Sequence, residues 1–167
     1  MQPIRWIGLL LAIFTFVTAC GAPAITPTTP PEIVYGEDVC EHCGMIINDA
    51  RFAAGIVIQT QPDRYEHRIF DDIGDMFAFD RELAATGEGA TIVSYFVHDY
   101  TSQEWLNAAD AHFVKADPSL TPMGSGLAAF ANKEVATAQA QLWNGTLLGF
   151  DAARHDTAAD HSHAAHH

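Results

Sequence analysis

The apolar positions of this chain fall into two successive patterns of the same kind. Phe52 to Gln59 (FAAGIVIQ) is apolar and β-branched, which suits a strand with covered faces. Tyr65 to Phe70 (YEHRIF) alternates polar and apolar residues, and Gln61-Pro62-Asp63 between the two runs is turn-forming, so together they predict a hairpin. The period then lengthens, with Ile73, Met76, Phe77 and Leu83 spaced for one face of a helix. Asp71, Asp72 and Asp75 stand at its start, where carboxylates cap free N–H groups and meet the positive end of the dipole. After a Gly-rich break from Thr86 to Gly89, Thr91 to His98 (TIVSYFVH) reads as another strand. The first half is β-β-α-β.

The second half follows a similar order. Ser102 to Leu106 is expected to begin a short helical turn, Ala111 to Lys115 a strand, and Gly126 to Phe130 its partner. Lys133 to Trp143 is rich in Ala and Gln and predicts a helix, with Asn144-Gly145 as its stop and Thr146 to Phe150 as the closing strand. The expected fold is α+β, two related β-β-α-β units in one globular region.

The ends differ in kind from this body. Arg5, the apolar run Trp6 to Val17 and the small residues before Cys20 read as an export signal over 1–19, too short an apolar run to span a bilayer comfortably. Val17-Thr18-Ala19-Cys20 resembles the lipobox of bacterial lipoproteins, which implies a lipidated Cys20 and a membrane anchor. Residues 20–32 are Pro- and Thr-rich, as a flexible tether is. The globular region is expected over 33–154, with possible halves 33–100 and 101–154. The tail 155–167 holds five of the nine His without an apolar period, so it reads as disordered, with His161, His163, His166 and His167 a loose secondary metal-collecting set.

Charge narrows the partners. The full 167-residue chain carries −13 at pH 7. Removing 1–19 takes away Arg5 and no acid, leaving seven Lys and Arg against 21 Asp and Glu, a net −14 with His neutral. Phosphate backbones need a basic stripe, so nucleic acid is disfavoured, whereas a basic protein partner or a cation is favoured.

The densest chemistry is Cys40-Glu41-His42-Cys43-Gly44-Met45. Without Cys20, Cys40 and Cys43 are the chain's remaining thiols, and an exported pair is a disulfide, a redox couple or a metal clip. Thiolate and thioether are polarisable and favour Cu(I), with Met45 as a third ligand. Structural zinc would want a second ligand pair, a redox centre would want a strand before the motif and a helix after it, and a disulfide this short removes little chain entropy. All three alternatives stand beside soft-metal binding. His67 and His98 lie in strand patterns and read as structural, with His98 the better placed to face a site.

Asp38-x-Cys40-x-x-Cys43-Gly44-Met45 resembles the signature of the NosL family, copper-binding lipoproteins that accompany nitrous oxide reductase. Val97-His98-Asp99-Tyr100 with Trp105-Leu106-Asn107-Ala108, and Thr121-Pro122-Met123-Gly124, are similar to two further stretches of that family in the same order. Leu106-Asn107 departs from the commoner Ile-Asp. The resemblance spans about residues 38 to 150 and implies two β-β-α-β units. It also implies a non-enzymatic Cu(I) chaperone outside the cytoplasm, with Cys40, Cys43, Met45 and Met123 as ligands. The partner it implies is an apo copper enzyme, nitrous oxide reductase or its maturation machinery. The alternative function is a thiol-disulfide oxidoreductase acting on metal-site thiols.

Overall fold

The computed structural model describes residues 24–87 and 89–156. Cys20, the export signal and His161, His163, His166 and His167 lie outside the described residues. Among the described residues no helix is long and apolar enough to cross a membrane.

The hairpin predicted around Pro62 forms from β1 (Ala54–Gln61) and β2 (Arg64–Phe70), antiparallel, with Ala54 opposite Phe70 and Asp63 at φ 60 in the turn. Helix α1 (Ile73–Thr86) follows, capped by Asp72, whose Oδ1 accepts from the Gly74 N–H at 2.7 Å. β3 (Thr91–His98) returns antiparallel on the other side of β1. The second unit repeats this route. β5 (His112–Lys115) and β6 (Leu127–Phe130) pair antiparallel, α2 (Lys133–Leu142) crosses over, and β7 (Thr146–Leu148) pairs with the free side of β5. With β4 (Trp105–Asn107) at one edge, the sheets run β2-β1-β3-β4 and β6-β5-β7, so in both units the opening strand lies inside its sheet.

Two expectations are corrected. Ser102 to Leu106 does not start a helical turn: Trp105–Asn107 is strand β4, which extends the first sheet beside β3 with His98 opposite Trp105. A turn at 101–102, tied down by Asp99, sends the chain straight back along β3. The closing strand also stops at Leu148, and Phe150–Arg154 is a short helix, α3. Its Phe150 packs edge-on against Phe77 at 5.9 Å and Tyr95 at 5.3 Å, and Arg154 Nη2 donates to buried Asp80 of α1 at 3.0 Å. Packing of that half-buried ring and the ion pair with Asp80 outweigh the local β-propensity.

The core is shared between the units. Alternation along β5 and β6 turns Phe113, Leu127 and Ala129 toward Ile56, Ile73, Met76 and Phe77 of the first unit, while Val114, Ala128 and Phe130 face Ala136 and Ala140 of α2. The ring of Phe77 lies 6.2 Å from that of Phe113 across the seam. Burying one such large side chain contributes about 1.5–3 kcal/mol, so neither unit keeps its apolar face covered alone.

The Pro/Thr stretch read as tether is docked over its last residues. Pro31 is buried so closely on β1 that a Cβ on Gly55 would meet its Cγ at 2.4 Å. His67 Nε2 donates to the Thr29 carbonyl at 2.8 Å, and Ser94 Oγ donates to the Pro27 carbonyl. A proline-rich strap therefore crosses β2, β1 and β3 on the outer face of the first sheet.

Asp99 joins the two sheets. Its Oδ1 accepts from the Ala131 N–H at 2.8 Å, its Oδ2 from the Ser102 N–H and Oγ at 2.8 and 2.9 Å, and its backbone bridges Ala129. Burial alone would raise this carboxyl, but the donors outweigh it and hold it below the usual range. A depressed folded value means that the stabilisation is complete above the unfolded value and is lost as pH falls through the folded one. Asp99→Ala is expected to lower the unfolding free energy near neutral pH by about 2 kcal/mol. In urea titrations the wild-type advantage should shrink on going below about pH 4, the unfolded carboxyl range; a difference independent of pH would remove the charge from this account.

Candidate metal centre

The cysteine loop is a short ladder closed by a tight turn. Val39 bridges Ile46, the Cys40 N–H donates to the Met45 carbonyl at 2.8 Å, and the Ile47 N–H to the Asp38 carbonyl at 2.9 Å. Gly44, at φ 74, lets the turn close with its N–H on the Cys40 carbonyl at 3.0 Å. Cys40 and Ile47 are buried and plug the ladder into the core. The Glu41 N–H donates to Ile69 at the end of β2 at 2.9 Å, which lays the loop over the junction of β2 and α1.

That placement brings carboxylates to the sulfurs. Asp71 follows β2 directly, and Asp75 lies one helical turn further on the same face of α1. The Cys43 thiol donates to Asp71 Oδ1 at 3.3 Å, and the Cys40 thiol lies 3.6 Å from Asp75 Oδ2. One ligating atom from each of Cys40, Cys43, Asp71 and Asp75 falls within 4.8 Å of the others, and both cysteines are free. His42 packs alongside, Nδ1 3.4 Å from Asp75 and Nε2 3.2 Å from Glu82.

Four acidic groups in one half-buried site cannot all ionise without a cation. Burial pushes the Cys43 thiol well above the usual range, and neighbouring Cys40 and Asp75 push it the same way. Cys40 is also raised by burial, against backbone N–H groups that favour its thiolate. Burial raises Asp75 too, with Asp72 and Asp71 adding to it and the Cys43 and His42 contacts opposing. Burial thus favours the protonated thiols in the metal-free site, and a cation bound by sulfur would displace those protons.

Met45 is exposed and stands opposite Cys40 in the ladder. Met123 is half-buried, and its N–H donates to Asp72 Oδ2 at 3.0 Å, so the cap of α1 also seats the Thr121–Gly124 loop of the second unit. Ser125 packs behind it, 2.3 Å from where a Cβ on Gly74 would lie. His98 does not face the cluster: Tyr35 Oη donates to Nε2 at 2.9 Å, Nδ1–H donates to the Gln103 carbonyl at 2.7 Å, and Trp105 stacks at 3.7 Å. His67 is held by the strap. Reading Asp71, Asp72 and Asp75 together as caps holds for Asp72 and fails for the other two, which meet the thiols. The available signal was the i, i+4 spacing of Asp71 and Asp75 beside a Cys-x-x-Cys loop.

A two-unit α+β scaffold that gathers two thiols of one loop with two carboxylates at a helix start has a ligand set that could hold a metal ion. The chain belongs to the NosL family, whose model matches residues 31–158. Its fold is similar to the crystal structure of the copper chaperone NosL from Shewanella denitrificans, with a TM-score of 0.60 and 23% identity over 75% of this chain and 96% of that one. Comparison with curated protein sequences finds no match.

Two predictions follow from this geometry. Gly74→Ala gains helix propensity worth about 1 kcal/mol, yet its Cβ collides with Ser125, and overpacking of this kind costs about 1–3 kcal/mol. A lower melting temperature is therefore expected; a higher one would show that the Met123 loop yields freely. In the reduced, metal-free chain, iodoacetamide should modify Cys43 slowly at neutral pH and faster as pH rises, and Asp75→Asn should accelerate it by removing a carboxyl acceptor that favours the protonated thiol. An unchanged rate in that variant would dismiss the carboxylate's influence.

Proposed function

We propose that the chain binds copper as Cu(I) at Cys40 and Cys43 and hands it to an apo copper enzyme outside the cytoplasm, nitrous oxide reductase or the machinery that matures it. The observation that carries this reading is the pair of thiols gathered with Asp71 and Asp75 at one surface loop. Sulfur suits a soft closed-shell ion, and Met45 opposite Cys40 and Met123 beside the α1 cap supply thioethers to complete a low-coordinate site. The carboxylates are hard donors, better suited to receiving hydrogen from the thiols than to holding Cu(I) themselves. Family membership and the lipobox-like Cys20 support a lipid-anchored position facing the periplasm or cell exterior.

Loading exchanges each thiol proton for a metal–sulfur bond, so affinity rises with pH while the thiols remain protonated. Release runs in reverse by ligand exchange. A donor from the recipient bonds first at the open coordination position, then Met or Cys sulfur leaves, and the ion is never bare. The same raised thiols speak against the oxidoreductase alternative, which needs a depressed thiol to attack a disulfide.

Competition with a chromophoric Cu(I) chelator under reducing conditions tests the site. Cys40→Ser and Cys43→Ser should each weaken binding by orders of magnitude, and Met123→Leu should weaken it with little change in melting temperature. Unchanged affinity in both Cys variants would remove the site; wild-type affinity with a lowered melting temperature would make Met123 a packing residue. Transfer to apo nitrous oxide reductase, read by recovery of its copper absorption, tests the client.

A further inference from the structure

The surface around the cysteine loop is apolar on an otherwise acidic chain. Of the nine large apolar side chains exposed among the described residues, five (Val34, Tyr35, Val39, Met45 and Ile46) lie between positions 34 and 46. Val34, Val39, Met45 and Ile46 are 53, 52, 56 and 49% exposed. Val39 and Ile46 are cross-strand partners, so their side chains share one side of the ladder, while Cys40 on the other side is buried. Val34 is pinned beside them: its N–H donates to Asp38 Oδ2 at 2.7 Å and its carbonyl accepts from the Asp38 N–H at 2.9 Å. Clustered apolar exposure of this kind marks a docking face.

The border of the patch is acidic. Glu32, Glu37 and Glu41 are exposed, and Glu82 lies at the outer end of the His42 contact. Arg68, the cation bonded to this loop, already meets Glu41 at 3.3 Å and Glu66 at 3.0 Å. A second copy would bring like-charged borders together, and anionic lipid headgroups would be repelled in the same way. A protein face with an apolar centre and a Lys/Arg border meets neither penalty.

We propose that Val34, Val39 and Ile46, bordered by Glu32, Glu37 and Glu41, form the docking surface for the protein that receives the metal. That partner's face is apolar at its centre, ringed by Lys or Arg, and carries a thiol, thioether or imidazole opposite the cysteine loop. The inference rests on the copper-transfer reading and adds where the recipient sits and what its surface must be. Met45, the cross-strand partner of Cys40, is exposed on the other side of the ladder and adjoins this face through Ile46, so a partner docked there and reaching its side chain also alters the sulfur set around the ion.

The test places a benzophenone side chain at Val39 or Ile46 of the full-length protein in its own cells, with Leu142 on α2, also exposed, as control. The expected product is a conjugate with one extracytoplasmic protein, formed at positions 39 and 46 and not at 142. Peptide mapping should put the linked residue beside Lys or Arg and beside a Cys, Met or His. Glu37→Lys should lower the yield roughly tenfold, as reversing a steering charge does. A conjugate of twice the chain's mass, a lipid adduct, equal yield at 142, or a linked face without cationic residues would overturn the surface. Cu(I) titration of the same chains separates the two readings. A chain that crosslinks as expected but holds no Cu(I) overturns the copper assignment alone, and one that holds Cu(I) but links to lipid or to itself overturns the surface alone.

Discussion

The side chain of Asp72 holds both halves of the molecule to one point. Wholly buried, it uses Oδ1 to cap α1 through Gly74 and Oδ2 to accept the Met123 N–H from the second unit. A buried carboxylate is tolerated only when its lone pairs are met by donors. Here one donor comes from each unit, so the cap is complete only when the units are docked. The residues on either side of it in the chain's local geometry, Asp71 before the helix and Asp75 in its first turn, are thereby oriented toward the cysteine loop. Helix start, inter-unit seam and the Cys/Asp cluster meet at one place.

Asp99 repeats this arrangement at the other end of the seam, where β3 hands over to β6 through Ala131 and the Ala129 bridge. Between the two aspartates lies the shared core of Phe77, Phe113, Leu127 and Ala129. Apolar burial supplies most of the attraction there but little direction. The aspartates supply the register. The candidate cysteine site and the Met123 loop keep their relative position only while that register holds, since Asp72 is bonded to the Met123 N–H and flanked by the two aspartates that meet the thiols.

The centre itself balances two opposed requirements. Burial of Cys40 favours its protonated thiol, while a surface position leaves Cys43 half-exposed and Met45 exposed. Burial of both thiols would hinder access of an ion, and exposure of both would leave them open to oxidation. The strap of residues 27–31 adds a constraint of its own, since the chain leaves the domain only after crossing three strands of the first sheet.

Local rules sufficed for the first unit: β-branched runs, Pro62-Asp63, the Asp72 cap and the change of period near Ile73 each point to the element that forms. Cys-x-x-Cys-Gly-Met marked the chemistry for the same reason, as ligand type and turn residues are properties of adjacent positions. The misread segments are those whose conformation is decided at a distance. Trp105 and Leu106 become strand because β3 offers an open edge, and Phe150 turns helical because it packs on Phe77 and Tyr95 while Arg154 pairs with Asp80. Asp71 and Asp75 look like ordinary caps until the Glu41–Ile69 hydrogen bond sets the loop above them. The Pro/Thr stretch has no apolar period because it packs through proline rings and carbonyls on a finished sheet. Sequence alone determined the β-β-α-β order of the two units and marked the Cys-x-x-Cys-Gly-Met loop as the densest chemistry; which carboxylates join the thiols, and which segments lie on the sheet, was decided by the tertiary structure, because contacts between residues tens of positions apart leave no local pattern.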